Sequence, residues 1–315
     1  MPSICTLTFS PCIDKSTSVP ELIPEKKLKC TEPKLEPGGG GINVARAIKK
    51  LGGDAVAVYP GGGYTGKAFT KLLKDEKVKT IVIESKNETR ENIIVFEEKS
   101  GKQFRFGMPG TSLSKNEWRK CLQAISNSKG IEFIVASGSL PPGVPGNIYA
   151  QLAVIAKKKN AKLVLDTCGE ALLHAAEEGV YLLKPNLAEL CFLAGKSYLA
   201  ENEIAPAAMK IIEKGNCEIL VVSMGDKGAM MVTKNNIKIV VPPAVEIKST
   251  VGAGDSMVAG IVYTLSQGKN PETAFLYGVA SGTAATLHPG TELCSKKATD
   301  KLFKQIKQEQ KKILL

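Results

Sequence analysis

The chain has 315 residues, 43% of them hydrophobic and 23% charged, with a formal net charge of +11. This is the composition of a soluble globular protein of one or two domains, with no apolar stretch long enough to cross a membrane and no basic-then-apolar leader, so a cytoplasmic protein is expected. The charge suits an anionic partner, but the lysines are dispersed and aromatics are only 5%, which argues against nucleic acid.

From the N-terminus, residues 12–36 are rich in Pro, Lys and Glu and have no helical period. "EPGGGGINVARAIKKLGG" (36–53) follows, with Gly38, Gly39, Gly40 and Gly41 directly before a helical pattern. Glycine costs backbone entropy on folding, so such a run is either a turn or a place where backbone comes close to a ligand. A strand is predicted over 55–60 and a helix over 64–76. Between them "GGGYTGKA" (61–68) nearly fits the phosphate loop G-x-x-x-x-G-K-[ST]. Ala68 stands where that loop needs a hydroxyl for Mg²⁺, which favours a glycine turn before a helix. Residues 91–108 predict a β-hairpin turning at Ser100 and Gly101, with Arg105 on the face opposite Phe104 and Phe106. The segments 12–36 and 91–108 are expected to form a small discontinuous sheet. It packs beside a core of 1–11, 37–90 and 109–315, serving as a lid and as a dimer surface.

Further on, strands over 133–138, 162–167, 181–186 and 219–225 alternate with helices over 114–127, 146–160 and 201–214. Near-continuous apolar strands separated by helices imply an α/β fold: a mostly parallel sheet with helices on both faces. Ligands then bind at the carboxyl ends of strands. There the sequence places Ser137-Gly138-Ser139, Asp166, Lys184-Pro185-Asn186 and Ser223-Met224-Gly225. In "KPNLAEL", Asn186 and Glu189 share a helical face; both can reach a hydrated Mg²⁺, and a glutamate in a first turn also serves the helix dipole. In "STVGAGDSMVAGIVYTL", Gly252-Ala253-Gly254 opens a helix whose free N–H groups can hold an anion. Asp255 there is either an N-cap or a general base. Leu302, Phe303 and Ile306 mark a C-terminal helix with a lysine-rich solvated face. The eight cysteines include no CxxC and do not pair with His174 or His288, so reduced thiols are expected and a zinc site is not.

Taken in order, "PGGGGINVARAIKKLGG", "KPNLAEL" and "STVGAGDSMVAG" resemble the motifs of the pfkB (ribokinase-like) carbohydrate kinase family, over essentially the whole chain. "TLTFSPCIDKS", "TRENI", "QFRFGMPG" and "ASGSLPPGV" are similar to its branch of bacterial minor 6-phosphofructokinases. The resemblance implies a ribokinase-like three-layer fold and ATP-dependent phosphorylation of O1 of fructose 6-phosphate. Tagatose-6-phosphate kinase and 1-phosphofructokinase share these motifs. By resemblance Asp255 is the base, and the backbone of Gly252, Ala253 and Gly254 is the anion hole. Asp14, Gly39, Gly40, Gly41, Asn43 and Ser139 hold the sugar, while Lys27, Arg90 and Arg105 hold its phosphate. Lys184, Asn186, Ser223, Gly225, Gly228 and Thr283 serve ATP, and Asn186 and Glu189 organise Mg²⁺ through water. The family's K⁺ falls to backbone carbonyls of Ser249, Val251, Ala285, His288, Gly290 and Glu292. His288 and Glu292 depart from the asparagine and arginine of that branch, and Ile247 from a polar residue near the nucleotide. A homodimer through the lid and a second, inhibitory ATP site near Lys27 are also expected.

Overall fold

The computed structural model of the chain describes residues 3–288 and 290–313. The first half contains β1 (Ile4–Leu7), β2 (Cys12–Val19), β3 (Lys34–Gly38), α1 (Gly40–Lys50), β4 (Ala55–Gly62), α2 (Gly63–Asp75), β5 (Lys79–Ser85), β6 (Arg90–Glu97), β7 (Lys102–Phe106), α3 (Lys115–Asn127), β8 (Phe133–Ser137) and α4 (Ile148–Lys158). The second half contains β9 (Lys162–Asp166), α5 (Gly169–Glu178), β10 (Val180–Leu183), α6 (Leu187–Leu193), α7 (Glu201–Glu213), β11 (Cys217–Ser223), β12 (Ala229–Thr233), β13 (Asn236–Val240), α8 (Ala253–Ser266), α9 (Pro271–Thr286) and α10 (Lys296–Ile313).

One large sheet runs β13-β12-β11-β10-β9-β8-β1-β4-β5. It is parallel from β11 to β5, and β12 runs antiparallel to both β11 and β13. The central strands are largely apolar because both faces are covered, while the edge strands β5 and β13 carry exposed and charged residues. In β8, Phe133 and Val135 join a core with α1, α2, α8, α9 and α10, while Ile134 and Ala136 join one with α3, α4, α5, α6 and α7. The close approach of α8 to α9 depends on small residues, since a Cβ on Gly260 would collide with the Ser281 hydroxyl. Ile261 is 2% exposed in that contact, and Ile261→Ala should cost about 2–5 kcal/mol. This packing fixes the N-terminus of α8 over the carboxyl ends of the parallel strands.

The four remaining strands make a separate sheet in the order β3-β2-β6-β7. Its register pairs Asp14 with Asn92 and Ile94 with Arg105, and Ser16 with Ile94, so these side chains share one face. Ile93 pairs with Phe106, Val95 with Phe104 and Lys15 with both Leu35 and Ile93, which puts this apolar set on the other face. Leu35, Ile93, Phe104 and Phe106 remain 38–49% exposed there. β3 runs on to Gly38 and β6 begins at Arg90, so Pro37, Gly38 and Arg90 belong to the small sheet rather than to the core segments in which the sequence placed them. Residues 20–33 contain no helix or strand. Among the described residues no helix is long and apolar enough to cross a membrane.

Candidate active site

Gly252 is the N-cap of α8, in the left-handed region at φ 73°, where a Cβ would also lie 2.7 Å from Leu293. Glycine is therefore required for the turn that aims the first-turn N–H groups outward, at the positive end of the helix dipole. Asp255 is not the cap. Its Oδ2 accepts a hydrogen bond from Asn43 Nδ2 of α1 at 2.9 Å, and its Oδ1 accepts one from Ser137 Oγ at the end of β8 at 3.3 Å. Burial and the charge of Asp166 raise its pKa to about 6, while Asn43, Lys184 and Ser137 pull it down. A carboxylate so placed is ionised at neutral pH and still basic enough to take a proton from a hydroxyl.

Lys184, just beyond β10, pairs with Asp166 at the end of β9 at 3.1 Å. A Cβ on Gly254 would sit 3.6 Å from Lys184 Nζ, so the ammonium adjoins the first turn of α8. Burial opposes the lysine's charge, but Asp166, Glu189 and Asp255 outweigh it and hold its pKa above the ordinary value. Asn186 and Glu189 form a reciprocal capping box on α6. Asn186 Oδ1 accepts from the Glu189 N–H at 2.9 Å, and Glu189 Oε2 accepts from the Asn186 N–H at 2.8 Å. Burial raises the Glu189 pKa. Asn186 also bridges to Ser223 at the end of β11, where Gly225 and Gly228 take φ of 64° and 84°. Thr283 lies on α9 one residue past Gly282, whose Cβ would meet the Ala253 carbonyl at 3.1 Å. Among the described residues no three His, Cys, Asp or Glu side chains are grouped to hold a metal, so a divalent ion would need ligands from a bound molecule or water.

On the opposite wall, Asp14 is 9% exposed and accepts from Asn92 Nδ2 at 2.9 Å. Arg90 donates to the Met108 carbonyl at 2.7 Å and the Ser10 carbonyl at 3.4 Å, leaving its buried Nε without a partner. Arg105 is exposed on the sheet face that carries Asp14, and Ser139 is exposed just past β8. Lys27 is exposed in the irregular 20–33 segment, with no side-chain bond among the described residues. The glycine run is accounted for by the protein itself. A Cβ would strike Asp14 from Gly38, Ser137 from Gly40 and the Leu7 carbonyl from Gly41, and Gly39 has φ 110°. These close approaches seat the start of α1 against β1, β2 and β8.

The phosphate-loop look-alike is closed. Glu88 accepts from the Tyr64 and Thr65 N–H groups at 3.0 Å each, so a carboxylate of the chain already occupies the start of α2. Those bonds hold the Glu88 pKa low. Beside α8, Ser249 Oγ donates to the Gly290 carbonyl at 2.7 Å and accepts from the Val251 N–H, tying together two of the segments expected to supply K⁺ ligands. Ala285 lies in the last turn of α9, and His288 and Glu292 follow that helix; backbone carbonyl oxygens from this stretch would suit a hard cation. The Glu292 carboxylate lies 3.9 Å from Lys34. A cleft of about 810 Å³ at the opposite, amino-terminal end of the sheet, between Lys157, Lys162, Tyr181 and Lys234, contains none of these residues; volume does not locate the site. Sequence reasoning assigned no role to Ser137, Asp166 or Asn92. The first two were visible only as polar strand ends, and Asn92 shows itself only through its register with Asp14.

Comparison with known proteins places the chain in a family. A curated relative, the ATP-dependent 6-phosphofructokinase isozyme 2 of Escherichia coli (strain K12), is 44% identical over 304 residues, covering 96% of this chain and 98% of its own. The crystal structure of phosphofructokinase-2 from Escherichia coli in complex with potassium superposes with a TM-score of 0.93 and 44% identity, covering 98% of this chain and 100% of that one. The tetrameric inhibited form of the same enzyme gives 0.92 and 43%, with the same coverage. Residues 7–298 match the pfkB family of carbohydrate kinases, and with its ribokinase-like α/β fold the chain belongs to that family.

Proposed function

We propose that the chain is an ATP-dependent 6-phosphofructokinase that transfers the γ-phosphoryl group of ATP to O1 of fructose 6-phosphate in the cytoplasm. The observation that carries this reading is Asp255, a carboxylate of raised basicity at the mouth of an open helix N-terminus, held there by Asn43 and Ser137. In this reading Asp255 accepts the proton of the O1 hydroxyl as O1 attacks phosphorus. The N–H groups of the α8 first turn, with Lys184 beside them, stabilise charge on the moving phosphoryl oxygens. Asp14, Asn43 and the Gly39–Gly41 backbone orient the sugar. Arg90, Arg105 and Lys27 hold its 6-phosphate, the arginines suiting bidentate contact. Ser223, Gly225, Gly228 and Thr283 line the ATP side. Mg²⁺ held through Asn186, Glu189 and water would neutralise the nucleotide phosphates, and K⁺ among the 249–251 and 285–292 carbonyls would reinforce the anion hole.

The small sheet, 12–36 and 91–108 with Arg90 and Pro37–Gly38 added, acts as lid and dimer surface. Its apolar outer face needs a cover, and a second copy of the same face supplies one with closed symmetry. A light-scattering mass of one chain at assay concentration would end the dimer reading. A rate that rises with MgATP at low fructose 6-phosphate and never falls would end that of an inhibitory ATP site.

The function itself is tested by coupled ADP release with fructose 6-phosphate, tagatose 6-phosphate and fructose 1-phosphate. Fructose 6-phosphate should give the highest kcat/KM. A preference for either other sugar would overturn the assignment.

A further inference from the structure

Arg46 is the most enclosed cation on the α1 side of the site, at 2% exposure. Its Nε and Nη2 grip the Glu76 carboxylate at 2.8 and 2.6 Å, and Nη1 donates to the Pro37 carbonyl at 2.7 Å. Glu36 lies 3.6 Å away and is itself held by the Thr291 hydroxyl at 2.8 Å. The guanidinium thus joins α1 to the end of α2 and to β3 and cannot swing. Asn43 lies three residues earlier on the same helical face, and Arg46 Nη1 reaches its Oδ1 at 3.5 Å.

This matters because a primary amide has two ends of equal size and opposite polarity. One end of Asn43 faces the Asp255 carboxylate, and only the nitrogen can donate there. Nothing in the amide's shape selects that orientation. The Asp255 carboxylate on one side and the positive charge of Arg46 on the other select it together, since turning the amide would set its nitrogen against the guanidinium and its oxygen against Asp255. We propose that Arg46 is a positioning residue for phosphoryl transfer, holding Asp255 through Asn43 in the orientation that accepts the sugar proton.

The other groups facing Asp255 are Ser137 from β8, Asp166 from β9 and Lys184 beyond β10; Glu189 of α6 faces Lys184. None of these touches Arg46, so a change on Arg46 reaches Asp255 by way of Asn43.

The inference rests on Asp255 being the base, and the test separates the two. The profile of kcat/KM for fructose 6-phosphate against pH, the KM for MgATP and the thermal midpoint are measured for the wild type, Arg46→Lys, and the charge-balanced double variant Arg46→Met/Glu76→Gln. Lysine keeps the buried charge but not the fork that reaches Glu76, Pro37 and Asn43 together. With the amide released, the acid limb should move up by about half a pH unit or more, a threefold loss or greater on that limb, with the MgATP KM unchanged. A purely structural role would lower the midpoint and leave the limb in place. Wild-type limbs in both variants overturn the inference and leave the base assignment standing. A wild type without an acid limb removes both.

Discussion

Two glycine-rich junctions in this chain look alike on paper and behave in opposite ways. At the start of α2, Gly62-Gly63 leads into a helix whose first N–H groups are taken by the Glu88 carboxylate. At the start of α8, Gly252 opens a helix whose nearby carboxylate, Asp255, is drawn aside by Asn43 and Ser137. The first end is satisfied from within the chain; at the second Asp255 bonds elsewhere, and in the proposed reading that end receives an incoming anion with Asp255 as the base beside it. In that reading, what separates a cap from a catalytic anion site is where the nearest carboxylate finds its hydrogen bonds. Glycine content does not decide it.

The comparison breaks most readily at Asp255. Asp255→Asn should lower kcat by at least ~100-fold while fructose 6-phosphate still binds, because it removes the proposed base and preserves shape. The same change should raise stability at pH 7. The folded-state pKa, about 6, lies above the ordinary 3.8, so the native protein binds the proton more tightly than the unfolded chain does. That group therefore costs stability as pH rises through this window, and the amide removes the cost. Thermal melts at pH 7 check the sign, and steady-state turnover checks the base.

A smaller effect is expected at the lid. Arg90→Ala or Arg105→Ala should raise the KM for fructose 6-phosphate by roughly 10-fold or more, as loss of a charge-assisted phosphate contact does, with little change for MgATP. A loss on the ATP side instead would place these residues elsewhere. The smallest effect belongs to the closed junction. Glu88→Gln should lower the melting temperature slightly and leave the ATP KM unaltered. An ATP KM that shifts severalfold would mean that the Gly61–Ala68 loop meets nucleotide after all.

Much of this was legible in the sequence where chemistry is local. The strands ending at Ser137, Asp166 and Ser223 are apolar runs closed by polar residues, and the start of α8 is marked by its own glycines. The opposite faces of Arg105 and the two phenylalanines follow from strand alternation alone. α9 showed no helical period because it is buried nearly all round from Ala274 to Ala285, Thr283 excepted, and such a helix has no polar stripe to reveal it. The β12–β13 hairpin turns through Lys234-Asn235, without a glycine to mark it. The hydrogen bonds that decide the role of Asp255 join residues 212 and 118 positions apart, and no local pattern encodes them. Glu88 likewise reaches the α2 terminus from 23 and 24 residues away, which is why the phosphate-loop resemblance had to be settled in three dimensions.

The most direct test of the central claim is the pH dependence of kcat/KM for fructose 6-phosphate in the unmodified enzyme, at saturating MgATP. In the proposed reading Asp255 must be ionised to accept the O1 proton, and burial beside Asp166 raises its pKa to about 6. The rate should be level above pH 7 and fall tenfold per pH unit well below 6. A profile that stays flat to pH 5 in a folded enzyme would contradict the assignment of Asp255 as the base.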